Sequence, residues 1–279
     1  MLAVGWSSIF IRWCEGLDPF LIAFYRMAWA ALILLPFTLS DYRKNFSGIN
    51  RKDLVMMLSV GVILALHFIT WTTSLFYTSV ASSTVLVTTQ PIFLVLLSTF
   101  FSSEKVRKLS IIAVAIAMGG AIIIACGGFE IAGNHLKGDL LALAGAVCAA
   151  FYLFFGRSVR QRVNNLAYIQ IVYASSAVTL LIIVLIFSEF RINFSASYHF
   201  WLLLLGLIPT IVGHSLYNWS LKKIRAYIVG TSVLGEPLGA SVYAWLIFNE
   251  IPHVSTVFGA ILIFGGVALL FYNERKNIT

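Results

Sequence analysis

Residues 80–101, VASSTVLVTTQPIFLVLLSTFF, and residues 226–248, AYIVGTSVLGEPLGASVYAWLIF, are two apolar runs interrupted near the middle by a polar residue and a proline. Each run is long enough to cross a hydrocarbon core of about 30 Å as a helix. The interruptions are Gln90-Pro91 and Glu236-Pro237, and the offset from the first proline to the second recurs elsewhere. It carries Ser74-Leu75 onto Ser220-Leu221, Glu104 onto Glu250, and Gly119-Gly120 onto Gly265-Gly266. Four matches at one offset mark an internal repeat.

Similar apolar runs fill the rest of the chain. Hydrophobic residues make up 60% of its 279 positions and charged residues 11%, with a mean hydropathy of +0.93. A soluble domain carries roughly 25% charged residues, so this chain lacks the polar surface that water requires. In lipid every backbone amide needs an internal partner, so the runs are read as helices. Ten spans are expected, at 1–16, 19–39, 54–76, 80–101, 107–126, 138–156, 166–188, 200–221, 226–248 and 254–272. The fold class is an all-α membrane protein of ten transmembrane helices.

A net charge of +8 would suggest a nucleic-acid partner in a soluble protein. Here the basic residues lie between spans. With the N-terminus inside, the inner loops hold Arg43, Lys44, Arg51, Lys52, Lys105, Arg107, Lys108, Arg157, Arg160, Arg162, Lys222, Lys223 and Arg225, and the tail adds Arg275 and Lys276. Only Arg12, Lys137 and Arg191 fall outside, and Arg26 lies within a span. That asymmetry orients the chain with both termini cytoplasmic, and one missed span would invert every later loop. The first span is short before Arg12. Either Arg12 snorkels to the outer face or the chain lacks its natural start, and the second is the expectation. Cys14, Cys126 and Cys148 read as small apolar side chains.

The repeat divides the chain into a five-helix half at 1–126, a connecting loop at 127–135 and a second half at 136–273. Five is odd, so the second half enters from the opposite side of the membrane. Inverted repeats build secondary transporters, with the substrate site near the midplane where the halves meet. Gly5-Trp6-Ser7-Ser8, Pro19 with Arg26, Pro91 with Glu104, and Gly119-Gly120 mark the first half. Gly138-Asp139-Leu140-Leu141-Ala142-Leu143, Glu236-Pro237, Glu250 and Gly265-Gly266 mark the second. Together they resemble the drug/metabolite transporter superfamily, and within it the EamA-type ten-helix exporters. The resemblance implies export across a bacterial inner membrane, often of amino acids or other small metabolites.

Polar groups inside a membrane are costly and point to function. Arg26, His67, Gln90, His214 and Glu236 fall near the middle of their spans. His67, Trp71 and Ser74 share one stripe of span three, and His214, Tyr217 and Asn218 share one of span eight. The repeat sets these stripes face to face, as aromatic walls with polar tips suited to a small amphipathic ligand. Helix-to-helix hydrogen bonding is the alternative. Glu236 either meets a substrate amino group or a coupling proton, pairs with Arg26, or makes a plain hydrogen bond. Ser232, Glu236 and Tyr243 are placed on one cavity face. Pro237 removes a donor and frees the carbonyl of Val233. Arg26 offers a fork for a substrate carboxylate, or reaches polar groups at a helix interface.

The expected substrate-binding set is therefore Arg26, His67, Trp71, Gln90, His214, Tyr217, Asn218, Glu236 and Tyr243. Glu104 and Glu250 are expected to favour the N-termini of spans five and ten, and Pro252 to start span ten. Both Gly-Gly pairs are expected to allow close helix contact. With no phosphate loop, nucleophile-base pair or metal-ligand spacing, the chain is read as a transporter without cofactor, not an enzyme. Its expected partners are a small-molecule substrate and the bilayer, with proton coupling left open and no nucleic acid, in a monomer or dimer. A channel-like facilitator and a lipid-handling membrane protein are the alternatives.

Overall fold

The computed structural model describes residues 2–78, 80–102, 106–127, 136–248 and 254–274. Glu104, Glu250 and Pro252 lie outside the described residues. The described elements are all helical: α1 (Leu2–Arg12), α2 (Pro19–Leu39), α3 (Tyr42–Phe46), α4 (Arg51–Ser74), α5 (Val80–Val87), α6 (Gln90–Phe101), α7 (Lys108–Gly127), α8 (Leu136–Arg160), α9 (Asn165–Phe187), α10 (Ala196–Leu205), α11 (Ser215–Ser220), α12 (Ala226–Ser232), α13 (Glu236–Phe248) and α14 (Val254–Glu274). A π-helical segment, Gly206–His214, joins α10 to α11, and a 3-10 turn, Val233–Gly235, joins α12 to α13.

Helix starts follow local chemistry. Asp18 caps α2, accepting from the Phe20 amide at 2.7 Å, and Pro19 occupies the first turn, where its missing N–H is no loss. Asn50 caps α4 by accepting from the Asp53 amide, and Asn164 caps α9 by accepting from the Leu166 amide. All ten expected spans fall on helix, with two adjustments at the ends. The first helix stops at Arg12 and continues as turns, and the sixth extends to Arg160. The short α3 was not expected, because five residues leave too brief a pattern to read.

Among the described residues, seven helical stretches are long and apolar enough to cross a bilayer, and α1 and the apolar part of α7 are shorter. Large apolar side chains such as Phe37, Ile122, Ile182, Leu185 and Phe264 point outward, as lipid contact requires. The ionisable side chains within spans point inward: Arg26 is 1% exposed, Glu236 6% and His67 7%. This is a multi-pass membrane protein.

The two halves run antiparallel. Along α7 and α14, Ser110 meets Glu274 at one end and Gly120 meets Gly259 further along, so numbering rises in one helix as it falls in the other. Helices α2 and α9 cross the same way, with Tyr25 donating to the Arg191 carbonyl and, deeper, Gln170 donating to the Ala31 carbonyl. Each of these pairs joins equivalent spans of the two halves. The remaining packing obeys the same exchange: α4 lies on α8 as span eight lies on α1, and α5–α6 lie on α8 as α13 lies on α1. An inverted repeat with a two-fold axis in the membrane plane produces this pattern.

Of each Gly-Gly pair, only the second glycine makes the close contact. A Cβ on Gly120 would sit 2.5 Å from the Gly259 carbonyl oxygen, and one on Gly266 would sit 2.6 Å from that of Ala113. Gly119 and Gly265 face open space.

Candidate functional site

The proline-bearing spans are both broken at equivalent points. The first run leaves helix at Thr88-Thr89, between α5 and α6. The second tightens into the 3-10 turn just before Glu236. In each, the proline is the second residue of the new helix. The Val233 carbonyl that Pro237 leaves without its usual donor is taken by the Glu236 amide, three residues on instead of four. In the first half, the Thr88 and Thr89 hydroxyls donate to the carbonyls of Val85 and Leu86, at 3.0 and 2.7 Å. Backbone polarity is thus resolved inside the bundle, where lipid offers no water.

A cavity lies between the two breaks. Its lining includes His67, Trp71, Gln90, Tyr152, His214, Tyr217 and Glu236, with Thr88, Val4, Val87, Ala149, Leu153 and Val233 completing the wall. Three pairs of these residues are related by the repeat offset: Trp71 with Tyr217, Val87 with Val233, and Gln90 with Glu236. The cavity therefore straddles the pseudo-two-fold axis. Its volume is about 30 Å³ measured by water centres, and a water needs about 10–15 Å³ on that measure. That is room for about two waters.

The polar tips are held ready around this space. His67 Nδ1 lies 2.9 Å from the Gly145 carbonyl oxygen. A carbonyl only accepts, so this nitrogen carries the proton and Nε2 is left as an acceptor. The His67 and His214 ring centres are 6.5 Å apart. The indole N–H of Trp71, the hydroxyl of Tyr217 and Nδ1 of His214 are buried and find no hydrogen-bond partner among the described residues. Three such atoms around one cavity would be costly in a purely structural core.

Arg26 stands behind the aromatic wall. Its guanidinium lies 4.0 Å from the Phe68 ring centre and 5.9 Å from that of Trp71. Nε donates to the Thr210 hydroxyl at 2.8 Å, and a second nitrogen reaches Ser7 at 3.4 Å. The remaining terminal nitrogen is buried and has no partner among the described residues. Thr210 sits in the π-helical segment, where its hydroxyl donates to the Leu205 carbonyl five residues back. Such π turns often mark functional positions, and this one presents Thr210 to Arg26. Arg26 and Glu236 are close enough for their charges to interact, but no ion pair joins them among the described residues. Each remains available to a ligand.

Three expected residues do not line the cavity: Arg26 stands behind it, and Tyr243 and Asn218 lie elsewhere. Tyr243 stacks on Trp6 with ring centres 4.3 Å apart, and its hydroxyl donates to the Leu2 carbonyl. It packs α13 against α1, so it does not share the cavity face with Glu236. Asn218 is fully buried behind the wall, accepting from the Tyr152 hydroxyl at 2.8 Å and facing the Tyr173 hydroxyl at 3.5 Å. Its neighbour Tyr217 takes the cavity position. Ser74 turns to Ser83, at 2.5 Å. Tyr152 is the lining residue that the sequence reading missed, although a lone tyrosine in the apolar run 138–156 was a usable signal. Among the described residues, no group of acidic, histidine and cysteine side chains could hold a metal ion.

The model of the EamA-like transporter family matches this chain twice, over residues 1–126 and 136–272. An uncharacterized transporter of Bacillus subtilis, YdfC, is 25% identical over 99% of this chain and 90% of its own. The pseudopaline exporter CntI of Pseudomonas aeruginosa is 24% identical over 87% of this chain and 82% of its own. An S-adenosylmethionine uptake transporter of Rickettsia conorii is 23% identical over 93% and 85%. One crystal structure superposes on 99% of this chain and 94% of that chain with a TM-score of 0.77 at 18% identity, a likeness of fold alone.

Proposed function

The chain belongs to the EamA-like transporter family, and on that premise we propose that it exports a small zwitterionic metabolite of the amino-acid class across a bacterial inner membrane by alternating access. The observation that carries this reading is the cavity on the pseudo-two-fold axis. Its walls carry aromatic rings, three of its buried polar atoms (Trp71 Nε1, His214 Nδ1 and the Tyr217 hydroxyl) have no partner among the described residues, and it has one carboxylate within and one guanidinium behind. An amino group meets Glu236, a carboxylate reaches toward Arg26, and the rings of Trp71, Tyr217 and the two histidines cover the carbon skeleton. Substrates with several phosphates are disfavoured, because among the described residues Arg26 is the one arginine beside the cavity. The relative named for S-adenosylmethionine supports a substrate built on an amino acid; it is named for uptake, so the support for outward movement comes from the relative named as an exporter. The basic loops support a cytoplasmic position for both termini.

Purified protein in liposomes, offered a panel of amino acids and related amines, is expected to catalyse saturable movement and exchange of at least one. Glu236→Gln and His67→Ala are expected to weaken it. Saturation and exchange separate a carrier from a channel. Binding and transport unaltered in both variants would remove this site, and failure to move any of a broad metabolite panel would remove the function.

A further inference from the structure

The repeat allows the two ends of the pathway to be compared position by position. At the face opposite the basic loops, α1 and α4 part around a crevice of about 330 Å³ lined by Ile11, Arg12, Glu15, Leu75, Phe76 and Val80. One repeat length further on, Ile11 becomes Arg157, Cys14 becomes Arg160, Leu75 becomes Leu221 and Val80 becomes Ala226. The equivalent place at the basic face is tied shut. Arg157 donates from one nitrogen to the carbonyls of Leu221 and Ile224, at 2.8 and 2.9 Å. Arg160 donates from Nε to the Asn218 carbonyl at 2.9 Å, and its terminal nitrogen bonds the Val163 carbonyl. Leu221 is fully buried and Ala226 is 3% exposed, against 39% for Val80.

From this asymmetry we propose that Arg157 and Arg160 are a latch on the cytoplasmic face that holds the empty carrier in its outward-facing state. The two bonds of Arg157 and the Nε bond of Arg160 fasten α8 to the last carbonyls of α11 and the turn after it, groups that a helix end leaves without intrahelical donors; the Val163 bond is local to the end of α8. A charged donor on a carbonyl makes each bond stronger than a neutral one. At the equivalent positions of the first half, Ile11 and Cys14 cannot donate such bonds. The bias between the two states is therefore written into one half of the repeat. The latch also touches the cavity. Arg160 holds the backbone of Asn218, whose side chain accepts from cavity-lining Tyr152. A ligand that moves Tyr152 pulls on Asn218 and thereby on the latch, making Asn218 a positioning residue.

The inference rests on the alternating-access reading, and its test is made without substrate so that the two fail separately. Leu75→Cys reports the outer crevice and Leu221→Cys the inner one. Each is labelled with a membrane-impermeant maleimide in membrane vesicles of known sidedness, and labelling of the native cysteines in the parent chain is subtracted. Adding Arg160→Gln is expected to speed labelling at 221 from the cytoplasmic side by about tenfold and to slow labelling at 75 from the outside, as a population shift requires. Arg157→Lys, which keeps the charge without the planar fork, is expected to shift both rates in the same directions by less, and it serves where Arg160→Gln does not accumulate. Rates that rise at both positions indicate general loosening and overturn the latch, as do rates that stay unchanged.

Discussion

In the first half, helix ends at Val87 and resumes at Gln90-Pro91; in the second, it tightens over Val233–Gly235 and resumes at Glu236-Pro237. The two breaks share a place in the repeat, a proline in the first turn of the new helix, and local donors on carbonyls beside the break. They differ in one functional group, an amide against a carboxylate. Arg26 deepens the contrast, because the equivalent position in the second half is Val172. Geometry is thus duplicated and charge is not. A duplicated break gives two conformations that can be exchanged across the axis, whereas a single carboxylate and a single guanidinium give the site one polarity for a substrate with two unlike ends.

The comparison can be broken first at the shared frame. Gly120→Leu forces side-chain atoms into the Gly259 backbone and is expected to cost about 3 kcal/mol, read as a large fall in the thermal unfolding midpoint in detergent. Gly119→Leu, one residue away and facing open space, is expected to leave the midpoint nearly unchanged. At the charged end of the comparison, Glu236→Gln removes the carboxylate proposed to meet a substrate amine. Loss of a charged hydrogen bond of about 1.5–3 kcal/mol is expected to weaken ligand binding by ten-fold or more, measured as ligand-induced thermal stabilisation, with little effect on the unliganded midpoint. Tyr217→Phe deletes a hydroxyl aimed at the cavity and is expected to cost about 1 kcal/mol of binding, while Trp71→Phe, its partner across the axis, tests the indole N–H in the same way. The smallest effect is expected from Tyr243→Phe, which loses one partly exposed bond to the Leu2 carbonyl and is expected to change substrate affinity by less than about 0.5 kcal/mol.

Hydropathy made the ten spans legible, because a bilayer imposes a length that few other environments demand. The constant offset from Pro91 to Pro237 made the breaks and their equivalence legible. Positions on helix faces were less so. Reading His214, Tyr217 and Asn218 as one stripe holds for the first two, but the 100° step to Asn218 carries it from the cavity to the interface with Tyr152 and Tyr173. The π-helical turn at Gly206–His214 adds a residue to its turn without any change in composition, so no periodicity announces it. Tyr152 was hidden because an apolar helix buried on several sides shows no single polar stripe. The latch arginines looked like ordinary inner-loop charges, since sequence cannot show that Arg160 is 1% exposed and bound to carbonyls.

Moving the carboxylate between the two breaks is the most direct trial of a cavity shared by equivalent halves. Ligand-induced thermal stabilisation by an amino acid that the native protein moves is measured for Glu236→Gln and for the exchange variant Gln90→Glu with Glu236→Gln. The response is expected to collapse in the single variant and to return in part in the exchange variant, because positions 90 and 236 face one cavity from opposite sides of the axis. A full response in Glu236→Gln alone would contradict the account.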